Sequence, residues 1–275
     1  GTHSTFLGRV DARRGPRGLG EGAMSEYKVR LRNGSPARVY DPQQNGRPAA
    51  KVGVVVLHPW AALGGSMHDP HVVTVVRFFS KTSVQTCAAL ARQRIYTCGE
   101  PIDAGECGCA TARLNFRTGF SCGSTPVEDV RDAAATLLET GVSRILVVGY
   151  SYGAIVAMAA SAAMPESLGW CAINAPLDYA WALFLFNGGR LLHEAREAKP
   201  KLLIHASSDV FCATATFEAF YSTLPEPKTA LRVADASHFN VVCQIAPALT
   251  DWLKLHFGAS PERLASGDFE LFREA

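Results

Sequence analysis

Residues Arg144 to Met164, RILVVGYSYGAIVAMAASAAM, constrain the fold more than any other stretch of the chain. Ile145, Leu146, Val147 and Val148 form an unbroken aliphatic run, which suits a strand covered on both faces. An alanine-rich run with helical character follows, and between the two stands Gly149-Tyr150-Ser151-Tyr152-Gly153, of the form G-x-S-x-G. That spacing places a serine on a strained strand-to-helix turn, with glycines where Cβ atoms would collide. The hydroxyl is pushed out at the sheet's edge, and the helix start offers the N–H of Tyr152 to a developing oxyanion. With Gly at about 7% of residues, such a motif arises by chance in roughly one chain of ten at this length, so the flanking strand and helix carry the argument. Two plainer readings compete: an ordinary turn with a bystander serine, and a membrane span over the uncharged run Ile145 to Met164. Gly149, Ser151 and Gly153 break the run where a strand, turn and helix should break. Ser151 is therefore the candidate nucleophile.

A chain of 275 residues can bury a full core as one α/β domain. Its net charge of +2 gives no reason to expect nucleic acid or an acidic membrane surface as partner. The eight cysteines lack the regular spacing of a disulfide framework, and no leading apolar segment resembles a secretory signal. Reduced thiols in a cytoplasmic protein are the expectation. Residues 1–24 carry Gly and Arg without hydrophobic periodicity. They are expected to be disordered, in the manner of an expression remnant or untranslated-region read-through, and Gly15-Pro16 and Gly18 would interrupt the helix of a transit peptide. The expected organisation is one domain over 25–258 and a C-terminal tail over 259–275.

Tyr27 to Tyr40 reads as a hairpin around Asn33-Gly34-Ser35-Pro36, at the sheet's edge. Val52 to Leu57 is a β-branched run that ends in His58-Pro59-Trp60 and then Gly64-Gly65-Ser66-Met67. This is where a second oxyanion donor belongs. Pro59 has no N–H, so the donor falls to Trp60 or Ala61; a simple loop with a packing Trp is the alternative. Asp69 to Arg92 has a mostly helical pattern. Ile95 to Ala110 reads as an inserted loop with Cys98, Cys107 and Cys109; Cys122 would bring the thiols to four, but C-x-C without a partner pair is not zinc spacing, and no metal is expected. Ala112 to Arg117 reads as a strand, and Pro126 to Thr140 as a helix capped by Thr125 and ended by Gly141. Further strands are expected at Trp170 to Ile173, Lys201 to His205 and Thr229 to Ala234. Asp178 to Ala198 is aromatic and too short for a large cap domain; its rings suit an acyl pocket or the core equally.

His58-Pro59 with Gly64-Gly65-Ser66-Met67, Asn115-Phe116-Arg117 with Gly119, Ser121 and Gly123, and Gly149, Ser151 and Gly153 together resemble the α/β-hydrolase superfamily. More narrowly they resemble its small lidless predicted hydrolases, related to dienelactone-hydrolase-like and serine-aminopeptidase-like enzymes. The resemblance runs from about Lys51 to Phe257. The chain departs from the pattern at Ala61, which replaces a second proline, at Thr118, which replaces a glycine in a turn one residue shorter, and in the cysteine-rich insertion. The resemblance implies an α/β-hydrolase fold, a mostly parallel sheet with helices on both faces and no large cap domain.

That fold uses a nucleophile, an acid and a histidine in this chain order. Asp209 follows the Lys201 to His205 strand and His238 follows the last strand, so both should reach the sheet edge that carries Ser151. Asp178 and Asp235 are rival acids, Asp235 being awkwardly close to His238 in sequence. His58 is expected to orient its loop; His3, His68, His71, His193, His205 and His256 are expected at the surface or in packing. The function expected is acyl-enzyme hydrolysis of a carboxylic ester by Ser151, Asp209 and His238, with the N–H groups of Tyr152 and Trp60 as oxyanion hole. The substrate would be a small acyl compound, and no cofactor is needed. Peptide or amide cleavage is the runner-up, and a non-catalytic binding protein that kept the fold is the rival from another class.

Overall fold

The structure is a computed structural model that describes residues 25–80, 108–117 and 122–258. Among the described residues eight strands form one sheet: β1 (Tyr27–Arg30), β2 (Pro36–Tyr40), β3 (Val52–Leu57), β4 (Ala110–Leu114), β5 (Arg144–Tyr150), β6 (Ser167–Ile173), β7 (Lys201–Ser208) and β8 (Lys228–Ser237). Their order is β1-β2-β4-β3-β5-β6-β7-β8. The β1–β2 hairpin and the β2–β4 pair are antiparallel, and every other pairing is parallel. The helices are α1 (Pro70–Phe79), α2 (Ser124–Leu138), α3 (Tyr152–Ala162), α4 (Ala180–Leu183), α5 (Gly188–Glu194), α6 (Thr214–Thr223) and α7 (Val242–Phe257).

The aliphatic runs of β3 and β5 serve two cores at once. Val55, Leu57, Ile145 and Val147 face one cluster, shared with α2 and α3. Val52, Val54, Val56, Leu146 and Val148 face the other, shared with α1 and α7. A strand alternates its side chains between faces, so a run without polar residues needs apolar cover on both sides. Nine consecutive residues of α3, Gly153 to Ser161, are buried, which is why this helix is alanine-rich rather than amphipathic. Between β6 and β7 the chain forms only short helical pieces, α4, α5 and the turn Leu177–Tyr179, and no cap domain is inserted there. No described helix is long and apolar enough to cross a membrane; the candidate span divides into β5 and α3.

Several expected boundaries move. The helix after Asp69 spans Pro70–Phe79, with the Asp69 side chain accepting from the His71 N–H as its N-cap and Ser80 as its C-cap; residues 81–92 of the expected helix and most of the cysteine loop lie outside the described residues. The helix expected from Pro126 starts two residues earlier, at Ser124, so Thr125 lies inside it and Gly123 is its N-cap at φ 96°. A Cβ on Gly123 would meet the Leu191 side chain at 2.5 Å, so the close approach of α5 fixes the start where a side-chain cap was expected. The strands β6, β7 and β8 are longer than expected, because pairing of β6 with β5 and of β7 with β8 extends past the purely apolar residues. Cys243 is disulfide-bonded, which departs from the expectation of reduced thiols throughout; spacing along the chain does not say which sulfurs come within bonding distance. Cys122, Cys171 and Cys212 are free. The segments 1–24 and 259–275, expected as disordered segment and tail, lie outside the described residues.

Candidate active site

Ser151 joins β5 to α3 with φ 55° and ψ −120°, a conformation L-residues avoid. Its neighbours allow it. A Cβ on Gly149 would lie 2.0 Å from the Gly153 carbonyl oxygen, and one on Gly153 would lie 2.8 Å from the His58 carbonyl oxygen. The turn is anchored by Ser151 N donating to Ile173 O at 2.8 Å and Ala154 N donating to Ser151 O at 2.9 Å. Strain of this kind costs on the order of 1–3 kcal/mol and persists only where the surroundings impose it.

Because β7 runs to Ser208 and β8 to Ser237, Asp209 and His238 each stand directly after a strand on the same edge. His238 Nε2 is 3.0 Å from Ser151 Oγ. Its Nδ1 is 2.9 and 2.8 Å from the two carboxylate oxygens of Asp209, and both residues are buried. Asp209 also accepts the Phe211 N–H at 2.8 Å. The rival acids are engaged elsewhere. Asp178 accepts from Ala213 N at 2.7 Å and Thr216 Oγ1 at 2.6 Å, bracing the start of α6. Asp235, at φ 54°, is exposed, and its N–H donates to Ser207 Oγ at 2.9 Å.

The loop after β3 turns tightly at Trp60, whose carbonyl accepts from Leu63 N and Gly65 N, both at 3.1 Å. Tyr152 opens α3, so its N–H has no partner within the helix. Trp60, Tyr152, Ser151 and His238 line one cleft of about 440 Å³. His58 ties the loop down: its Nδ1 donates to Pro59 O at 2.5 Å and its Nε2 accepts from Phe116 N at 3.1 Å. Those two bonds define the neutral tautomer, and burial pushes its pKa below the ordinary value. The Asn115-Phe116-Arg117 motif extends the bracing. Asn115 Oδ1 accepts from Met67 N at 2.8 Å, and Arg117 Nε donates to the buried Asp129 at 2.6 Å.

Three residues near the site escaped the sequence reading. Tyr150 Oη donates to the backbone carbonyl of His238 at 3.0 Å, and Asn174 Nδ2 donates to the same oxygen at 2.8 Å. Asn174 also accepts from Ala206 N at 3.0 Å, so one fully buried side chain ties the end of β6 to β7 and to the residue that follows β8. Its φ is 46°, in the left-handed region that Asn tolerates better than most residues. His71, assigned to surface or packing, is buried, stacks on Tyr150 at 3.8 Å and 15°, and lines the cleft. Its Nδ1 is 2.9 Å from Asp69 Oδ1. Burial lowers its pKa against the pull of Asp69, and the neighbouring His238 lowers it further. Of the four cysteines weighed as a cluster, Cys109 is buried and Cys122 exposed, while Cys98 and Cys107 lie outside the described residues.

No protein-family model matches the chain, and no curated protein matches its sequence. Solved structures do. A serine hydrolase without a lid from Xanthomonas campestris superposes with a TM-score of 0.59 at 21% identity, over 88% of this chain and 97% of that one. A putative α/β hydrolase from Agrobacterium tumefaciens gives 0.61 at 20% identity, over 91% and 100%. An esterase from Pyrococcus furiosus gives 0.60 at 17% identity, over 87% and 96%.

Proposed function

From the premise that this chain has the α/β-hydrolase fold without a large cap domain, we propose that it is a serine hydrolase that cleaves carboxylic esters of small acyl compounds. The observation that carries the reading is the relay itself: Ser151 Oγ, His238 and Asp209 in continuous hydrogen-bond contact at 2.8 to 3.0 Å. Non-catalytic packing has no use for a strained, partly exposed serine that meets a buried His–Asp pair inside a cleft.

In this reading His238 Nε2 takes the proton of Ser151 as Oγ attacks the ester carbonyl. Asp209 holds Nδ1–H and stabilises the imidazolium. The N–H groups of Tyr152 and Trp60 receive the oxyanion. His238 then gives its proton to the departing alcohol oxygen, and water releases the acyl group by the same steps in reverse order. The acting unit is the domain 25–258.

Labelling with a fluorophosphonate probe tests the proposal. Wild-type protein is expected to label stoichiometrically and Ser151→Ala not at all, with turnover of a p-nitrophenyl ester falling by about 10⁴ to 10⁶. An unlabelled wild type, or a Ser151→Ala variant with a tenth of the activity, refutes it; intact labelling without ester turnover would point to amide substrates.

A further inference from the structure

Aromatic rings surround the imidazole of His238. Phe211 meets it edge-on at 4.7 Å between centroids, and Phe239 at 5.1 Å. The two phenylalanines meet each other at 6.3 Å and 88°, and Tyr179 packs edge-on against Phe211 at 5.9 Å. All three rings line the cleft over Ser151. Phe239 is 56% exposed and Tyr179 47%, so a large apolar surface is left open toward whatever enters.

The position of these rings decides which part of a substrate they meet, if His238 acts as proposed above. The histidine must hand its proton to the leaving oxygen, so the departing alcohol lies on the His238 side of the serine, among Tyr179, Phe211 and Phe239. The carboxylate and amide oxygens beside those rings are already partnered. Both oxygens of Asp178 hold the start of α6, Asn240 Oδ1 accepts from Ser237 N, and Asp209 is taken by His238 and Phe211 N. Among the described residues that line the cleft there is no Lys or Arg. A phosphorylated alcohol placed here would lose hydration without finding a cation, and a polyol would find few acceptors for its hydroxyls. A flat ring would gain apolar burial and edge-to-face contacts.

We propose that Tyr179, Phe211 and Phe239 form a leaving-group subsite for an aromatic alcohol, so that arylmethyl carboxylic esters are the preferred substrates over esters of polar alcohols. In the acylation step the bond between the acyl carbon and the arylmethanol oxygen breaks and the bond to Ser151 Oγ forms. The serine proton leaves on the arylmethanol through His238.

The test compares benzyl butyrate with 2-methoxyethyl butyrate, two esters with the same acyl group, in wild type, Phe239→Ser, Tyr179→Ser and Ser151→Ala. Wild type is expected to favour the benzyl ester in kcat/KM on the order of tenfold or more. The ratio should fall toward one in Phe239→Ser and Tyr179→Ser, with folding checked by thermal melts. A wild-type ratio near or below one overturns the subsite, as does a ratio that neither folded variant changes. Undiminished hydrolysis of both esters by Ser151→Ala refutes the serine mechanism instead, and failure of wild type to cleave either ester overturns both.

Discussion

Asn174 offers the sharpest test of how the site is held. Its side chain is fully buried, and it continues the β6–β7 ladder beyond Ile173↔Ile204 by accepting the Ala206 N–H at 3.0 Å. Replacing it by Ala removes that acceptor and leaves a buried N–H without a partner, which costs about 1–3 kcal/mol. The backbone stays at φ 46°, where Ala is disfavoured by about 1–2 kcal/mol. Together the loss should come to about 2–5 kcal/mol, measured by urea denaturation. Asn174→Gly loses the same hydrogen bonds but relieves the φ penalty. Gly therefore should be no worse than Ala here, although it is ordinarily worse by about 0.5–1 kcal/mol in regular structure. Both variants also release one of the two donors on the His238 carbonyl, Tyr150 Oη remaining. A loosened histidine should lower kcat/KM on the order of 10-fold to 100-fold. If Asn174→Ala unfolds within about 0.5 kcal/mol of wild type, the tie between the strands is not what holds them. Full activity in a destabilised variant refutes the positioning of His238.

Asp209→Asn should lose about 10³ to 10⁴ in rate at unchanged thermal stability, whereas Asp178→Asn and Asp235→Asn should lose far less; equal damage in either rival variant moves the acid. Gly149→Ala forces a Cβ to within 2.0 Å of the Gly153 carbonyl oxygen, so its soluble yield or its unfolding free energy should collapse, by about 3 kcal/mol or more. Burial lowers the pKa values of His58, His71 and His205, while in the unfolded chain they return to about 6.5. The unfolded state then binds more protons below that value, so stability is fully present above about pH 6.5 and is lost as pH falls toward the folded values. Melting temperatures that stay level between about pH 7.5 and 5 would contradict this.

How much of this was legible depended on whether the signal was local. The aliphatic runs of β3 and β5 and the glycine pair around Ser151 carry their meaning within a few residues, and the two-sided core follows from them. Asp209 and His238 could be chosen because each closes a separate strand, which restates a long-range meeting as a local position. Asn174, Tyr150 and His71 have no such local mark. Tyr150 Oη reaches a residue 88 positions away, and Asn174 Nδ2 one 64 positions away, so only the strand order brings them into contact. The start of α2 was misjudged for the same reason: Gly123 is fixed by Leu191, a side chain from a distant helix, while Thr125-Pro126 imitates a cap.

The backbone strain of the described chain is concentrated around this site. The non-glycine residues with positive φ are Ser151, Asn174, Leu185, Phe186 and Asp235. Ser151 and Asn174 stand at the ends of β5 and β6, and Asp235 lies in β8 three positions before His238. Leu185 and Phe186 follow α4, in the segment that sends Tyr179 and Leu183 into the cleft. Each such residue costs on the order of 1–3 kcal/mol, a large amount beside the 5–15 kcal/mol that typically separates folded from unfolded chains. The offset lies beneath: β3, β5 and β6 are buried almost end to end, and α3 packs as an apolar rod against them. A sheet covered on both faces can hold an unfavourable turn at its edge, because relaxing that turn would mean moving close-packed strands. The strain at Ser151 is thus set by the same packing that made Arg144 to Met164 legible.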